Sequence, residues 1–387
     1  MKEKLHFHSF DAFRFFAFLK VFLLHAPLVV VASSPAWMTW WNQHIRFGGG
    51  IGVSFFFVLS GFLITYILTT DILNQGNINP KRFFIRRAFR IVPLFYLMVL
   101  MAFLTPDSVA TSIGFHMIWG GYDPHCWFSF TFTENIAMIL NDNVPKNTPL
   151  SVFWSLCIEE QFYIYWMIAF FVMKKNWIPY FLIFNVFLAI GFRVYGDEIF
   201  ATQHVNKVDL FSNLDYFSIS GILGYFVASQ YEKVANFVMK IPLFVKWGYI
   251  VFVLGMLFFQ YMIFETPSWF VDVFWYTISA IVFTGLLLLF VPKNSQIKFS
   301  DNHIFTKLGK ISYGLYVYHI VWIHIIYKFY IDYGIEVDGV RSYFVFIVTT
   351  FAMTVVTSYL SYRFFEKPIL GLREKFFSDK KRISNKS

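Results

Sequence analysis

The chain has 387 residues, 57% hydrophobic and only 14% charged, where an ordinary soluble chain has about a quarter of its residues charged. With 53 Phe and a mean hydropathy of +0.56, there is too little polar surface to cover the apolar mass in water. That excludes a soluble enzyme, a nucleic-acid binder and a secreted disulfide scaffold, and the net charge of +9 is explained instead by where the cations sit.

Apolar stretches near the bilayer-spanning length of about 20 residues recur along the chain. Ten spans are expected, near 11–32, 48–70, 84–104, 152–173, 177–195, 213–230, 244–263, 271–291, 311–330 and 342–365. Lipid cannot satisfy a bare backbone, and long apolar runs lack a barrel's alternation, so the spans are helices. The expected fold class is all-α: a polytopic integral membrane protein with about ten transmembrane helices. A membrane domain covers 1–370 and a basic cytoplasmic tail covers 371–387. The long loop at 105–150 holds no clear span, only short pieces.

Orientation follows from Lys and Arg. With the N-terminus in the cytoplasm, inner segments carry 24 of the 32 cations, including the run Lys380-Lys381-Arg382. Outer loops and helix ends carry six: Arg46, Lys146, Arg193, Lys207, Lys328 and Arg341. Both termini are then cytoplasmic. Charged residues inside the first span argue that it is retained rather than cleaved as a signal peptide. Cys126 in a polar loop and Cys157 in an apolar run support neither a disulfide framework nor a zinc site.

In chain order, the first span places Arg14 and His25 on one helix face, about 16 Å apart along the axis. Ionisable groups at such depth mark a functional site or a polar pathway. Lys20 falls off that face, and snorkelling to the inner interface accounts for it equally well. The second span is rich in small residues (Gly52, Ser54, Ser60, Gly61) that suit close helix packing, and Ser60-Gly61 also allows a substrate near the backbone. Before the third span, Arg86, Arg87 and Arg90 join Lys81 and Arg82 within ten residues. The positive-inside belt explains some of these cations, and a cytoplasmic phosphate site explains the cluster as well. In the fourth span Ser151, Ser155, Glu159 and Tyr163 follow an i,i+4 row as one polar seam, with Glu160 pointing elsewhere. Measured from the span ends, His25 and Glu159 fall at similar heights in the outer half. The outer tryptophans Trp37, Trp40, Trp41, Trp119 and Trp127 suit an interfacial belt and, equally, stacking on sugars.

Six segments together resemble the acyltransferase-3 family of polytopic membrane O-acyltransferases. They are Arg14 with His25 eleven residues on, Gly52-Val to Ser60-Gly61-Phe62, Arg87-x-x-Arg90-Ile-x-Pro93, Trp154-Ser-Leu-x-x-Glu159-x-x-Phe162-Tyr163, Ile311-Ser-Tyr313-x-Leu-Tyr316-x-x-His319 and Arg363-x-x-Glu366-x-Pro368. Ser54 departs from the pattern, since many members carry Asp there. The chain ends soon after its tenth span, and a fused extracytoplasmic esterase-like domain is therefore not expected.

The resemblance implies a bacterial cytoplasmic (inner) membrane enzyme. It would transfer an acyl group, usually acetyl from acetyl-CoA, to a hydroxyl of a surface glycan or glycolipid. No permanently bound cofactor and no metal are implied; acyl-CoA is the donor substrate. The catalytic candidates are His25, Glu159 and Arg14, with Glu159 orienting the imidazole or stabilising its cation. Arg14 has Asp11 and Glu159 as alternative partners. Arg87, Arg90 and Arg86 are candidates for the phosphates of CoA, whose pantetheine arm would reach from the cytoplasmic face toward His25. Ser60, Trp154, Tyr163, Tyr316 and His319 are placed as substrate-binding or supporting residues. A secondary transporter using Arg14, His25 and Glu159 as a proton or substrate pathway is the alternative from another class.

Overall fold

The computed structural model describes residues 5–26, 35–115, 121–145, 148–200, 208–265, 268–337 and 339–372. Trp119, Lys146, Lys207 and the run Lys380-Lys381-Arg382 lie outside the described residues, as does most of the expected tail. Ten long helices run through the described residues. They are α1 (His8–His25), α2 (Ile51–Gln75), α3 (Pro80–Leu104), α4 (Trp154–Val172), α5 (Ile178–Phe200), α6 (Leu214–Lys240), α7 (Leu243–Phe258), α8 (Trp269–Leu289), α9 (Ser312–Asp332) and α10 (Val340–Ser361).

Each helix overlaps one of the ten expected intervals, and the protein is an all-α, multi-pass membrane protein. Length and hydropathy alone qualify five segments among the described residues as spans: Ala36–Gln75, Pro80–Leu104, Lys175–Gly196, Trp269–Leu289 and Val340–Leu372. A sixth counts if α6 and α7, bent by 93° at the Ile241-Pro242 junction, form one broken span. The count of ten spans is therefore not carried by hydropathy. Among the helices outside the five are α1, α4 and α9, the ones that carry Arg14, Lys20 and His25, Glu159 and Glu160, and His319 and His324.

Local sequence explains several boundaries. Pro80 occupies the first turn of α3, and the Arg82 amide donates to the Asn79 side chain at 2.9 Å. α6 runs ten residues beyond the expected end at Gln230, where its backbone leaves helical values (φ −136°, ψ 44°) and then resumes. The polar run Gln230-Tyr231-Glu232-Lys233 reads as a loop in sequence but is a kinked helix. In 105–150 the short helices Asp107–Ser112, Cys126–Phe130 and Glu134–Asn141 appear.

The exterior is apolar where a water-soluble protein would be polar. Phe171, Phe187 and Phe244 are more than half exposed, whereas Arg193, Asp215 and His319 are buried. Lipid as solvent selects that inversion.

The chain divides into two compact units. Unit 1 comprises Met1–Ile78, Phe132–Val144 and Phe153–Lys310 and contains α1, α2 and α4 to α8. Its helices approach closely at glycines, as the small-residue reading expects. A Cβ on Gly61 would lie 2.4 Å from the Phe217 carbonyl oxygen, and one on Gly52 would lie 2.4 Å from that of Ala17. Unit 2 comprises Asn79–Thr131, Pro145–Val152 and Ile311–Ser387 and contains α3, α9 and α10. Tyrosines secure it: Tyr313 donates to the Ile91 carbonyl and Tyr316 to that of Val152, each at 2.9 Å.

Candidate functional site

In unit 1, α1 brings its charged residues to separate partners. Arg14 forms an ion pair with Asp11 one turn earlier, one of its two expected partners. Lys20 does not snorkel to the inner interface. Its ammonium donates to the carbonyls of Ile45 and Phe47 at 2.7 and 3.0 Å, tying α1 to the segment that precedes α2. Arg46 returns the favour at the helix end, donating to the Leu24 carbonyl at 3.1 Å and so satisfying one of the terminal acceptors of α1.

His25 closes α1 and is partly exposed. Its Nδ1 lies 3.0 Å from the Val21 carbonyl oxygen. A carbonyl only accepts, so Nδ1 carries the proton and the neutral ring keeps Nε2 as its basic nitrogen. The contact also fixes the ring's orientation through its own helix.

Glu159 on α4 accepts from Ser60 on α2 at 2.7 Å and from Tyr163 at 3.4 Å. The Glu159–Tyr163 step of the expected i,i+4 row is thus formed, and Ser60 joins it from another helix, whereas Ser151 lies before α4 in a separate 3-10 turn, Pro149–Val152. The expected common height with His25 is not met. Rings of α1 and α2 pair antiparallel, Phe10 with Phe62 at 5.1 Å and Phe13 with Phe55 at 5.7 Å. Gly52 meets Ala17 and Gly49 meets Leu24 in the same sense. Ser60 therefore falls opposite the Asp11–Arg14 turn, about 20 Å in axial level from His25. Distances counted from span ends missed this because helix register, not helix length, sets the level.

A cavity of about 390 Å³ lies at the Leu24 end of unit 1. Helix ends from α1, α2, α4, α6 and α8 converge on it, with Trp154 on α4 and Ser54 on α2 among its walls. Behind its aromatic wall sits an ion pair that sequence reasoning missed. Arg193, expected as an outer helix-end cation, is buried and pairs with buried Asp215 at 2.7 Å. The guanidinium also donates to Thr277 at 2.8 Å and to the Val273 carbonyl at 2.7 Å, and lies 5.0 Å from the Tyr276 ring centre. The available signal was an Arg near the end of one apolar run and an Asp at the start of the next.

Unit 2 holds the remaining candidates. Arg86 and Arg90 are exposed on the first turns of α3, and Arg87 is half-buried with its guanidinium 5.0 Å from the Phe83 ring centre. Arg90 lies within electrostatic range of Glu366, which accepts from Ser361 at 3.1 Å, so the third and sixth motifs meet. His319 has no exposed surface, and its Nδ1 lies 2.6 Å from the Tyr316 carbonyl. Tyr316, its hydroxyl held by Val152, acts here as a brace between chain segments.

The acyltransferase-domain family matches residues 7–363, from before the first motif to the start of the sixth. The chain belongs to the acyltransferase-3 family. A Staphylococcus aureus (strain COL) protein, named provisionally as an O-acetyltransferase, is 25% identical over 385 residues, covering 95% of this chain and 58% of that protein. The peptidoglycan O-acetyltransferase OatA of Listeria monocytogenes is 36% identical over 144 residues, 35% of this chain and 22% of OatA. A Bacillus subtilis (strain 168) protein, named provisionally as a peptidoglycan O-acetyltransferase, is 32% identical over 190 residues, 46% of this chain and 27% of that protein. The chain thus spans little more than half the length of the Staphylococcus relative. No solved structure matches it.

Proposed function

We propose that this chain is a membrane O-acyltransferase. It moves an acyl group, acetyl in the first instance, from cytoplasmic acyl-CoA to a hydroxyl of a surface glycan or glycolipid at the outer half of a bacterial cytoplasmic membrane. The observation that supports the reading is the 3.0 Å contact of His25 Nδ1 with the Val21 carbonyl, which assigns the acceptor role to Nε2 at the end of α1, one residue from a wall of the cavity.

In the proposed reaction Nε2 takes the proton of the acceptor hydroxyl as its oxygen attacks the thioester carbonyl. The C–S bond breaks, and the leaving thiolate of CoA takes the proton back from the imidazolium. Arg87 and Arg90, with Arg86 beside them, hold the CoA phosphates, because guanidinium forks match phosphate oxygens. Arg14 and the Ser60–Glu159–Tyr163 cluster lie about three helical turns or more from His25, and in this reading they do not orient the imidazole by contact.

The names of the Listeria and Bacillus relatives favour a cell-wall glycan as acceptor. Purified protein in detergent, given acetyl-CoA and peptidoglycan fragments, should release free CoA and yield O-acetylated glycan by mass spectrometry. A transporter would consume no thioester, and that result would discard the enzymatic reading.

A further inference from the structure

The cavity at the Leu24 end of unit 1 holds a polar atom that nothing in the reaction uses. Gln260 is 4% exposed, lines the cavity, and its Oε1 has no hydrogen-bond partner among the described residues. A buried amide oxygen without a donor is costly, so its retention points to a donor that arrives from outside the chain. Gly48 makes the space for it. Gly48 has φ of +65°, and a Cβ there would fall 2.2 Å from Gln260 Oε1, so any side chain at Gly48 would displace the amide.

The rest of the lining has a consistent chemistry. Trp154, Trp275, Tyr216 and Tyr276 present aromatic surface, and Ser54 and Asn213 add short polar groups. Aromatic faces suit the C–H face of a pyranose ring, while amides and hydroxyls suit its rim of hydroxyls. The volume of about 390 Å³ sits at the small end of the roughly 300–1,000 Å³ of ligand cavities, which suits one sugar residue and not a run of several. The aromatic wall is held in place before any ligand arrives. Arg193 lies against Tyr276, and its partner Asp215 accepts from the Tyr216 amide at 3.0 Å.

We propose that this cavity receives one sugar residue of the acceptor glycan, with Gln260 Oε1 accepting a hydrogen bond from a hydroxyl or amide N–H of that residue. The word acceptor rests on the acyltransferase reading; sugar binding itself does not. Leu24 lines the cavity and His25 follows it at the end of α1, and Gln260 becomes the residue that positions the sugar.

The test uses the full chain in detergent and the tetramer of β-1,4-linked N-acetylglucosamine, with binding followed by saturation-transfer NMR and acetyl-CoA consumption measured in parallel. Wild type should bind the tetramer saturably. Gln260→Met keeps length and bulk but loses the amide, and should weaken binding roughly five- to tenfold. Trp275→Phe, a second variant that trims only aromatic surface, should weaken it about threefold. Wild type that fails to bind the tetramer, or variants that bind like wild type, would overturn the proposal. Binding without thioester consumption would sink the acyltransferase reading and leave the sugar site standing. Consumption with an unchanged acceptor KM in Gln260→Met would do the reverse.

Discussion

Two histidines, one in each unit, share a local device and differ in access. His25 Nδ1 rests 3.0 Å from the Val21 carbonyl and His319 Nδ1 rests 2.6 Å from that of Tyr316. Each neutral ring therefore keeps Nε2 as its acceptor nitrogen. His25 is partly exposed at a helix end, whereas His319 has no exposed surface and packs beside a tyrosine already committed to Val152. The arginines named so far divide in the opposite sense. Unit 1 buries Arg193 against Asp215 and commits Lys20 and Arg46 to backbone carbonyls, whereas unit 2 displays Arg86 and Arg90 on α3. Residue type does not separate a candidate base from a structural imidazole, or an anion-binding arginine from a structural one. Burial and partner do.

The sharpest way to break this comparison is to exchange the fates of the two histidines. His25→Ala should lower acetyl transfer by about 10²- to 10⁴-fold, the usual contribution of a positioned base, while His319→Ala leaves measurable activity. Transfer assayed in membranes with verified protein levels decides it, and near-normal activity of His25→Ala would move the candidate base to unit 2.

A smaller effect separates the cations by stability. Removing one member of a buried ion pair costs about 3–5 kcal/mol, so Arg193→Met should lower the melting temperature in detergent markedly. Arg90→Ala, on an exposed face of α3, should leave it unchanged. Equal melting of both variants would mean that the Arg193–Asp215 pair does not hold unit 1 together.

The smallest effect concerns the donor. If Arg87 and Arg90 bind CoA phosphates, replacing either by Ala removes a charge-assisted contact of about 1.5–3 kcal/mol. The apparent KM for acetyl-CoA should rise roughly ten- to a hundredfold while that for the acceptor changes little. An unchanged KM would return both arginines to the positive-inside belt.

Much of unit 1's candidate site was legible because its spacing is local. The i,i+4 step from Glu159 to Tyr163 follows from helix geometry, and the Tyr163–Glu159 hydrogen bond realises it. The contact of Ser60 with Glu159, 99 positions away, is not legible in sequence, because no periodicity links two separate helices. Arg193 was misread for a related reason. A lone Arg near a span end counts as an interfacial cation until its partner Asp215, 22 residues on, is seen facing it.

Sequence alone determined the solvent, the helical class and the order of the family motifs, because hydropathy and spacing along one helix are properties of contiguous residues. The tertiary structure decided which levels meet. It set Glu159 beside Ser60 at the Arg14 turn and not beside His25, and it brought Gln260 under Gly48. The physical reason is that hydropathy specifies how long a helix is in lipid and says nothing about its axial register against a neighbour. That register is set by close contacts at small residues such as Gly52 and Gly61 and by ring pairs such as Phe10 with Phe62, which exist only once the helices have packed.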